Sequence, residues 1–266
     1  MFAQMKHLAI VSNNVNVEGD FYRDVLKLKR SGLARAGGAV VVRDGYIGLN
    51  LNPRAPGRQA GLDHFGFEVR DVELVFSRLR DKYPAIRVLK RPGNRPFAGI
   101  STHDPAGNVF DLSQQGMENR RDLYVDSDEE MPRRIGHFAL RVVEPDPIAE
   151  FYRTVFELTE LEKPASDPNH YLSDGKVTLA IFPWQITDFE GSGIERPALD
   201  HIGFKVENMS AFKADLEKHT HEYASTDNRP EKNPEREARQ KLFARCCFGQ
   251  FQTSDPDGVL IDVSEN

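Results

Sequence analysis

Two sets of three residues have the types and the order that a metal centre requires. They are His7, His64 and Asp111 in the first half of the chain, and His137, His201 and Asp262 in the second. Each residue lies in a stretch with the pattern of a β-strand, where side chains two positions apart share a face. An alanine or a glycine follows each histidine on its face, which leaves room for an ion or a ligand.

Two imidazoles and one carboxylate suit a divalent metal ion. This facial arrangement leaves coordination positions open and is typical of non-haem Fe(II) oxygenases, although zinc, manganese or nickel could use the same donors. A single histidine in a strand near a core is more often a hydrogen-bonded structural residue. The recurrence of the whole set favours metal binding, but the halves are repeats, so the two sets are not independent observations.

A tandem repeat runs through the chain and places the two sets at equivalent positions. Its paired landmarks are Lys6–Val11 and Gly136–Val142, Phe21–Arg23 and Phe151–Arg153, Asp44-Gly45 and Asp174-Gly175, Asp63–Phe67 and Asp200–Phe204, and Asp104–Gly107 and Asp255–Gly258. The offset grows from 130 to 151 residues, as insertions in the second half would require. A weaker repeat inside each half predicts two strand–helix–strands units of about 60 residues each.

Periodicity and turn residues place the elements around these landmarks. The pattern predicts helices over 21–28, 72–82 and 148–158, and strands over 39–42, 109–113, 177–182 and 259–264. Asp-Gly at 44–45 and at 174–175 indicates hairpins. Asp-Pro-x-Gly at 104–107 and at 255–258 indicates turns that lead into the final strand of each half.

The repeat predicts two domains, residues 1–116 and 135–266, joined by a charged linker over 117–134. A second polar stretch, residues 221–245, coincides with the longer insertion of the second half. It is interpreted as either a lid over a pocket or a solvated surface loop.

Composition narrows the functional class. A formal net charge of −6 disfavours nucleic acid as a partner, and no apolar run approaches the roughly 18 residues of a membrane span. The first ten residues lack the pattern of a secretory signal. The two cysteines, Cys246 and Cys247, are neighbours and indicate a reduced, cytoplasmic chain with small buried thiols. A small molecule is the expected partner, and self-association is compatible with the sequence.

These residues together resemble the vicinal oxygen chelate superfamily, which includes glyoxalase I, bleomycin-resistance proteins and type I extradiol dioxygenases. The resemblance rests on the strand histidine, the Phe-Tyr helix, the Asp-His-x-Gly-Phe strand and the Asp-Pro-x-Gly turn. It implies an α+β fold of two tandem domains, each made of two paired βαβββ units that form a half-open barrel. A chain of this length most resembles the extradiol dioxygenases.

The resemblance also implies where a metal binds. In the dioxygenases the ion lies in the second domain on two histidines and a glutamate, and those positions correspond to His137, His201 and Asp262. The first domain keeps the equivalent set, which that group normally loses. The acid–base histidine of the dioxygenases has no counterpart on the strand at Gly175–Thr178, although His170 is close in sequence. Their later histidine and tyrosine would fall near Cys247 and Gln252.

The predicted function is that of a metal-dependent, extradiol dioxygenase-like oxidoreductase, with Fe(II) favoured, acting on a small substrate with two vicinal oxygens. The alternatives are a glyoxalase-type lyase or isomerase using zinc, manganese or nickel, and a binding protein of the resistance type without catalysis. Arg141, Lys205 and His170 are the candidate substrate-binding residues, and the catalytic residues stay unassigned. Arg141 and Lys205 could equally be rim residues. Glu68 is the inward charge of the first domain.

Overall fold

Two mixed β-sheets, one from each half of the chain, form the framework of the protein. The structure, a computed structural model, describes residues 1–31, 36–92, 97, 99–116, 131–192, 196–219 and 248–266. Most of the predicted linker, the polar stretch 221–245 and the cysteine pair Cys246 and Cys247 lie outside these residues.

The first half consists of β1 (Ala3–Ser12), α1 (Val15–Asp24), β2 (Lys29–Arg30), a 3-10 turn (Ala36–Gly38), β3 (Val40–Arg43), β4 (Gly48–Pro53), β5 (Gly61–Val69), α2 (Val72–Lys82), β6 (Leu89–Lys90), β7 (Ile100–His103) and β8 (Val109–Gln114). Its eight strands are ordered β2-β3-β4-β1-β5-β8-β7-β6. The two central strands, β1 and β5, are antiparallel, and each is parallel to the last strand of its own unit. This order is that of two βαβββ units meeting at β1 and β5.

The second half consists of β9 (Arg133–Val142), α3 (Pro145–Phe156), β10 (Thr159–Glu160), β11 (His170–Ser173), β12 (Thr178–Pro183), α4 (Ile186–Ser192), β13 (Ala198–Val206), α5 (Met209–His219), β14 (Phe251–Ser254) and β15 (Leu260–Glu265). The described strands are ordered β10-β11-β12-β9-β13-β15-β14. The same pairing of a central strand with the last strand of its unit recurs. The predicted α+β fold of paired βαβββ units is therefore confirmed.

The sequence patterns predicted which helices and strands occur better than they predicted the residues at which these elements begin and end. The helix expected over 72–82 occurs as predicted, but α1 begins at Val15 and ends at Asp24 rather than spanning 21–28. Asn14 starts this helix by accepting hydrogen bonds from the amides of Asn16 and Val17. The helix ends early because the chain turns, with Lys27 at a φ of 58°. β9 begins at Arg133, inside the segment predicted to be linker.

The two halves share one hydrophobic core. The faces of the sheets that carry Leu8, Ile10 and their equivalents pack with the helices into a single cluster that draws residues from both halves. The rings of Phe65 and Phe138 lie 5.2 Å apart, and those of Phe67 and Phe156 stack at 4.2 Å. None of the described helices is long and apolar enough to cross a membrane.

Buried aspartates join the halves reciprocally at the Asp-Gly hairpins. Asp44 Oδ2 accepts from the amide of Ile135 at 2.8 Å, and Asp174 Oδ2 accepts from the amide of Met5 at 2.6 Å. The other oxygen of each aspartate accepts amides of its own turn. Each carboxylate therefore holds its hairpin and the first strand of the opposite half at the same time.

A second reciprocal pair explains the repeated Phe-Tyr and Asp-Pro motifs. The hydroxyl of Tyr22 donates to Asp255 and the hydroxyl of Tyr152 donates to Asp104, both at 2.9 Å. All four side chains are buried. The landmarks of the repeat therefore serve either the candidate metal sets or the contact between the halves.

The contact between Tyr22 and Asp255 has two additional acidic side chains beside it. Glu18 and Asp257 face Asp255 at positions where the other contact has Ile148 and Ala106. Glu18 is fully buried, and its carboxyl group lies against the carboxyl groups of Asp255 and Asp257. Burial, with the nearby charges of Asp255 and Asp257, raises the pKa of Glu18 far above its usual range.

Replacing Glu18 by isoleucine, the residue of the other contact, is expected to increase stability at neutral and alkaline pH. The folded protein holds a proton that an unfolded glutamate releases above pH 4.5, so the free energy of unfolding falls as pH rises, by at most about 1.4 kcal/mol per pH unit. Chemical denaturation of wild type and Glu18→Ile from pH 5 to pH 9 measures the difference. The exposed Glu73→Gln is the control, and equal pH slopes for wild type and Glu18→Ile would refute the assignment.

Candidate metal centres

The structure brings the three C-terminal candidates together. His137 lies on β9, His201 on β13 and Asp262 on β15, and one ligand atom from each lies within 4.8 Å of the others. The two Nε2 atoms are 3.2 Å apart, and Asp262 Oδ2 lies 3.5 Å from His137 Nε2. We call the sheet face that carries these residues the C-terminal ligand face. All three side chains are buried.

The N-terminal candidates converge in the same way. His7 on β1, His64 on β5 and Asp111 on β8 also bring one ligand atom each within 4.8 Å of the others. The two Nε2 atoms are 3.1 Å apart, and Asp111 Oδ2 lies 3.2 Å from His64 Nε2. Their sheet face is the N-terminal ligand face. The two centres are equivalent in the strands that supply each ligand.

A β-bulge beside each second histidine orients its ring. In the pairing of β1 with β5 the register slips at Asp63, and in the pairing of β9 with β13 it slips at Asp200. A bulge re-aims a side chain and commonly lies next to a functional site. Here each aspartate reaches the ring of the following histidine, with Oδ2 2.7 Å from His64 Nδ1 and 2.8 Å from His201 Nδ1.

These aspartates leave Nε2 of each histidine directed at the centre. A carboxylate on the far nitrogen of an imidazole is the usual support for a metal-ligating histidine, because it fixes the tautomer and the ring orientation. An arginine completes each support. Arg141 Nε donates to Asp200 Oδ1 at 2.9 Å, and Arg58 pairs with Asp63.

Glycine is required where the ring of His137 crosses β13. A Cβ atom added to Gly203 would lie 1.8 Å from His137 Cε1, well inside contact distance. At the equivalent position in the first half, a Cβ on Gly66 would meet the ring of Phe97 at 2.6 Å. The glycines that follow the histidines therefore make space for rings already in place.

Three supporting residues, Phe97, Phe248 and Ser101, were missed in the sequence, and a fourth, Gln252, was named only as a position near a dioxygenase active-site residue. Phe97 stacks on His7 and Phe248 stacks on His137, each with ring centroids 4.8 Å apart. Ser101 donates to Asp111, and Gln252 Nε2 donates to Asp262 Oδ1 at 3.0 Å. Phe97 and Phe248 are 151 residues apart, and so are Ser101 and Gln252, which is the offset between the two Asp-Pro turns. Extending that offset in both directions would have found them.

The donor set fits a divalent metal ion. In each centre two Nε2 atoms and a carboxylate oxygen point at one another, an arrangement in which neutral imidazoles offer lone pairs to a common ion. Asp262 Oδ2 is buried and has no hydrogen bond to any residue that the structure describes, as expected of an atom that serves as a ligand. The metal would lie on His137, His201 and Asp262, or on the equivalent N-terminal residues.

The electrostatics of the two centres differ. Burial alone would lower the pKa of His64, but hydrogen bonds to Asp111 and Asp63 outweigh it and raise this pKa to about 9. Burial alone would raise the pKa values of Asp111 and Asp63. His64 stabilises both carboxylates and outweighs burial, so both pKa values are lowered. Without a metal, the N-terminal centre is therefore an ion pair.

The C-terminal centre has the opposite tendency. Burial, His201 and Lys205 lower the pKa of His137, and burial raises the pKa of Asp262 in spite of His201 and Gln252. Desolvation dominates here because the ligands have less contact with solvent.

The three predicted substrate-binding residues differ in their positions relative to the C-terminal centre. Arg141 is buried, pairs with Asp200 and lies 5.4 Å from the ring of Phe182, so it supports the centre through His201. Lys205 lies across Gly136 and lowers the pKa of His137. Their binding of substrate stays a prediction.

The structure does not bring His170 to the centre. Alternation on β11 places it on the face opposite Tyr171, and its ring nitrogens lie 2.5 Å from Glu160 Oε1 and 2.7 Å from Asp146 Oδ1. Closeness in sequence was therefore a poor guide to its position.

Comparison with known proteins agrees with this fold. Residues 4–112 match the family model described as Glyoxalase/Bleomycin resistance protein/Dioxygenase superfamily. The resemblance to this superfamily found in the sequence is thus confirmed, with the match in the N-terminal half. No curated protein matches the chain.

Solved structures share the fold over the whole chain. The 2,3-dioxygenase LapB from Pseudomonas sp. KL28 is 15% identical, with a TM-score of 0.66, over 99% of this chain and 92% of that one. The Mn(II)-bound glyoxalase from Novosphingobium aromaticivorans is 14% identical, with a TM-score of 0.66, over 99% and 82%. A xylose isomerase-like TIM barrel/4-hydroxyphenylpyruvate dioxygenase fusion protein is 13% identical, with a TM-score of 0.62, and this chain spans 49% of its length. These identities establish the fold and leave the reaction open.

Gly203→Ala is expected to abolish metal binding at the C-terminal centre, because the added methyl group occupies the space of the His137 ring. Gly136→Ala is the matched control, since its Cβ would meet only the flexible chain of Lys205, at 2.9 Å. Elemental analysis of both variants measures the loss. Equal metal content in Gly203→Ala and Gly136→Ala would contradict the placement of His137.

Proposed function

We propose that the protein is a metal-dependent enzyme acting on a small substrate that offers two vicinal oxygens, with the C-terminal centre performing extradiol dioxygenase-like chemistry. The observation that carries this proposal is the convergence of His137 Nε2, His201 Nε2 and Asp262 Oδ2 within 4.8 Å. Two imidazoles and one carboxylate leave coordination positions open for a chelating substrate. Fe(II) is the favoured metal for this donor set.

The chain's own residues would bind and orient the substrate. When bound, the metal supplies Lewis acidity toward the substrate oxygens. Asp200 and Arg141 hold His201 in one orientation, while Phe248 stacks on His137. Lys205 places a cation near His137 and could attract an anionic group of the substrate.

A glyoxalase-type lyase or isomerase is the second candidate. The observation that favours it is the replacement of the dioxygenase acid–base histidine. Gly175–Thr178 carries none, and the nearest histidine, His170, lies on the other face of the sheet. A Mn(II)-bound glyoxalase shares the fold as closely as the dioxygenase LapB does. Zinc, manganese or nickel would suit this reaction.

Elemental analysis tests whether a metal is bound and where. Wild type is expected to hold metal, and His201→Ala is expected to lose the C-terminal ion. His64→Ala should lose only the N-terminal ion, and His170→Ala should lose none, because its ring lies on the opposite face. Metal-free wild type with no metal-induced rise in melting temperature would refute the proposal and favour a binding protein without catalysis.

Oxygen consumption then separates the two enzymatic candidates. Fe(II)-loaded wild type is expected to consume oxygen with a panel of small catechols, and His201→Ala is expected to lose at least a hundredfold in rate. Wild type that binds Fe(II) but takes up no oxygen with any catechol would reject the dioxygenase and leave the lyase or isomerase.

A further inference from the structure

The two ligand faces have equivalent donors but different surroundings. β4 and β12 run beside the first histidine strand of each half in the same register. On β12 the residues that share the ligand face are Ala180 and Phe182, whereas β4 has Asn50 and Asn52 at those positions. The repeat has therefore kept the ligands and exchanged apolar for amide side chains beside them.

The C-terminal ligand face is aromatic. Tyr171, Phe182 and Phe248 form a cluster with Ala139 and Ala180. Phe182 lies 5.7 Å from the ring of His201, and Tyr171 meets Phe248 edge-on at 5.3 Å. Flat aromatic surfaces of this kind favour an aromatic ring as ligand.

The N-terminal ligand face keeps a stacked ring, Phe97, in place of Phe248, but it has amides in place of Ala180 and Phe182. Asn50 donates to Asn52 at 2.9 Å, Val41 stands in place of Tyr171, and Glu68 stands in place of Lys205. Ser113, which corresponds to Ser264 in the second half, lies two residues after Asp111 on the same face and has a buried hydroxyl with no hydrogen-bond partner in the described structure. A buried hydroxyl without a partner costs free energy that a hydroxylated ligand would recover.

The N-terminal centre is also the more accessible of the two. The His64 side chain is 18% exposed, whereas those of His201 and Asp262 are both 0% exposed. The second histidine and the aspartate of the N-terminal centre therefore have more contact with solvent than their C-terminal equivalents.

We propose that the N-terminal centre is a second metal-dependent site, selective for small aliphatic hydroxyl-rich compounds that chelate through two vicinal oxygens. The amides of Asn50 and Asn52, the Ser113 hydroxyl and the Glu68 carboxylate would bind further hydroxyl groups of the ligand. An aromatic ring offers no hydrogen-bonding group to these polar side chains, whereas a hydroxylated ligand does, and this difference would select against the ring. This inference rests on the proposed metal binding, applied to the N-terminal set.

Two hydroxamates test the selectivity because they chelate through the same group and differ only in their tails. Glycolohydroxamate carries a hydroxymethyl group and benzohydroxamate carries a phenyl ring. Zn²⁺-loaded full-length His201→Ala keeps only the N-terminal centre, and His64→Ala keeps only the C-terminal one. Titration calorimetry measures the Kd of each probe for each variant, after the zinc content has been measured.

The N-terminal centre is expected to prefer glycolohydroxamate by about tenfold, and the C-terminal centre is expected to prefer benzohydroxamate by a similar factor. In the His201→Ala background, the changes Asn50→Ala and Asn52→Phe copy the C-terminal face and should reverse the preference. If that variant fails to fold, Ser113→Ala in the same background should weaken glycolohydroxamate about fivefold and leave benzohydroxamate unchanged.

Equal probe preference at the two centres, or His201→Ala without zinc, would overturn the inference. The latter result leaves the proposed C-terminal function intact. Conversely, His64→Ala without zinc would count against the proposed function, while the preference measured at the N-terminal centre would still stand.

Discussion

Four buried side-chain oxygens that accept or donate across the two halves are the constraint on which the rest of the structure depends. Asp44 and Asp174 each bind the first strand of the opposite half, and Tyr22 and Tyr152 each reach the opposite Asp-Pro turn. The faces of the sheets packed by these contacts form the shared core. The opposite faces of the sheets do not contribute to this core, so they can carry the polar side chains of the candidate metal centres.

The second constraint is local and lies in the bulges at Asp63 and Asp200. Adjacent residues of a regular strand face opposite sides, so an unbroken strand would direct these aspartates away from the following histidines. The extra residue puts carboxylate and imidazole in contact, which sets the direction of Nε2. The same device occurs in both halves, yet burial gives the two centres opposite electrostatic tendencies.

The features that could be predicted from the sequence are those that follow from the tandem repeat and from the alternation of side chains along a strand. His7 and His137 occupy equivalent positions of the repeat, and the residues around them have the pattern of a strand. These two observations were sufficient to predict both ligand sets. The supporting contacts were out of reach of that pattern, since the bulge is visible only in the pairing of two strands. Phe97 and Phe248 stand in loops without periodicity, and only the 151-residue offset relates them. The start of α1 was missed because its cap, Asn14, lies in a polar stretch before the apolar period begins. His170 was misplaced because nearness along the chain does not reveal the face of a strand.

The shared core has a consequence for ligand linkage. Residues of both halves occupy one apolar cluster, and rings such as Phe67 and Phe156 belong to opposite halves while stacking on each other. Neither half can unfold without exposing the other's interior, so occupancy of either centre shifts the unfolding equilibrium of the entire polypeptide. A thermal transition would accordingly report the sum of both occupancies, and melting data alone could not assign a stabilising ion to one half.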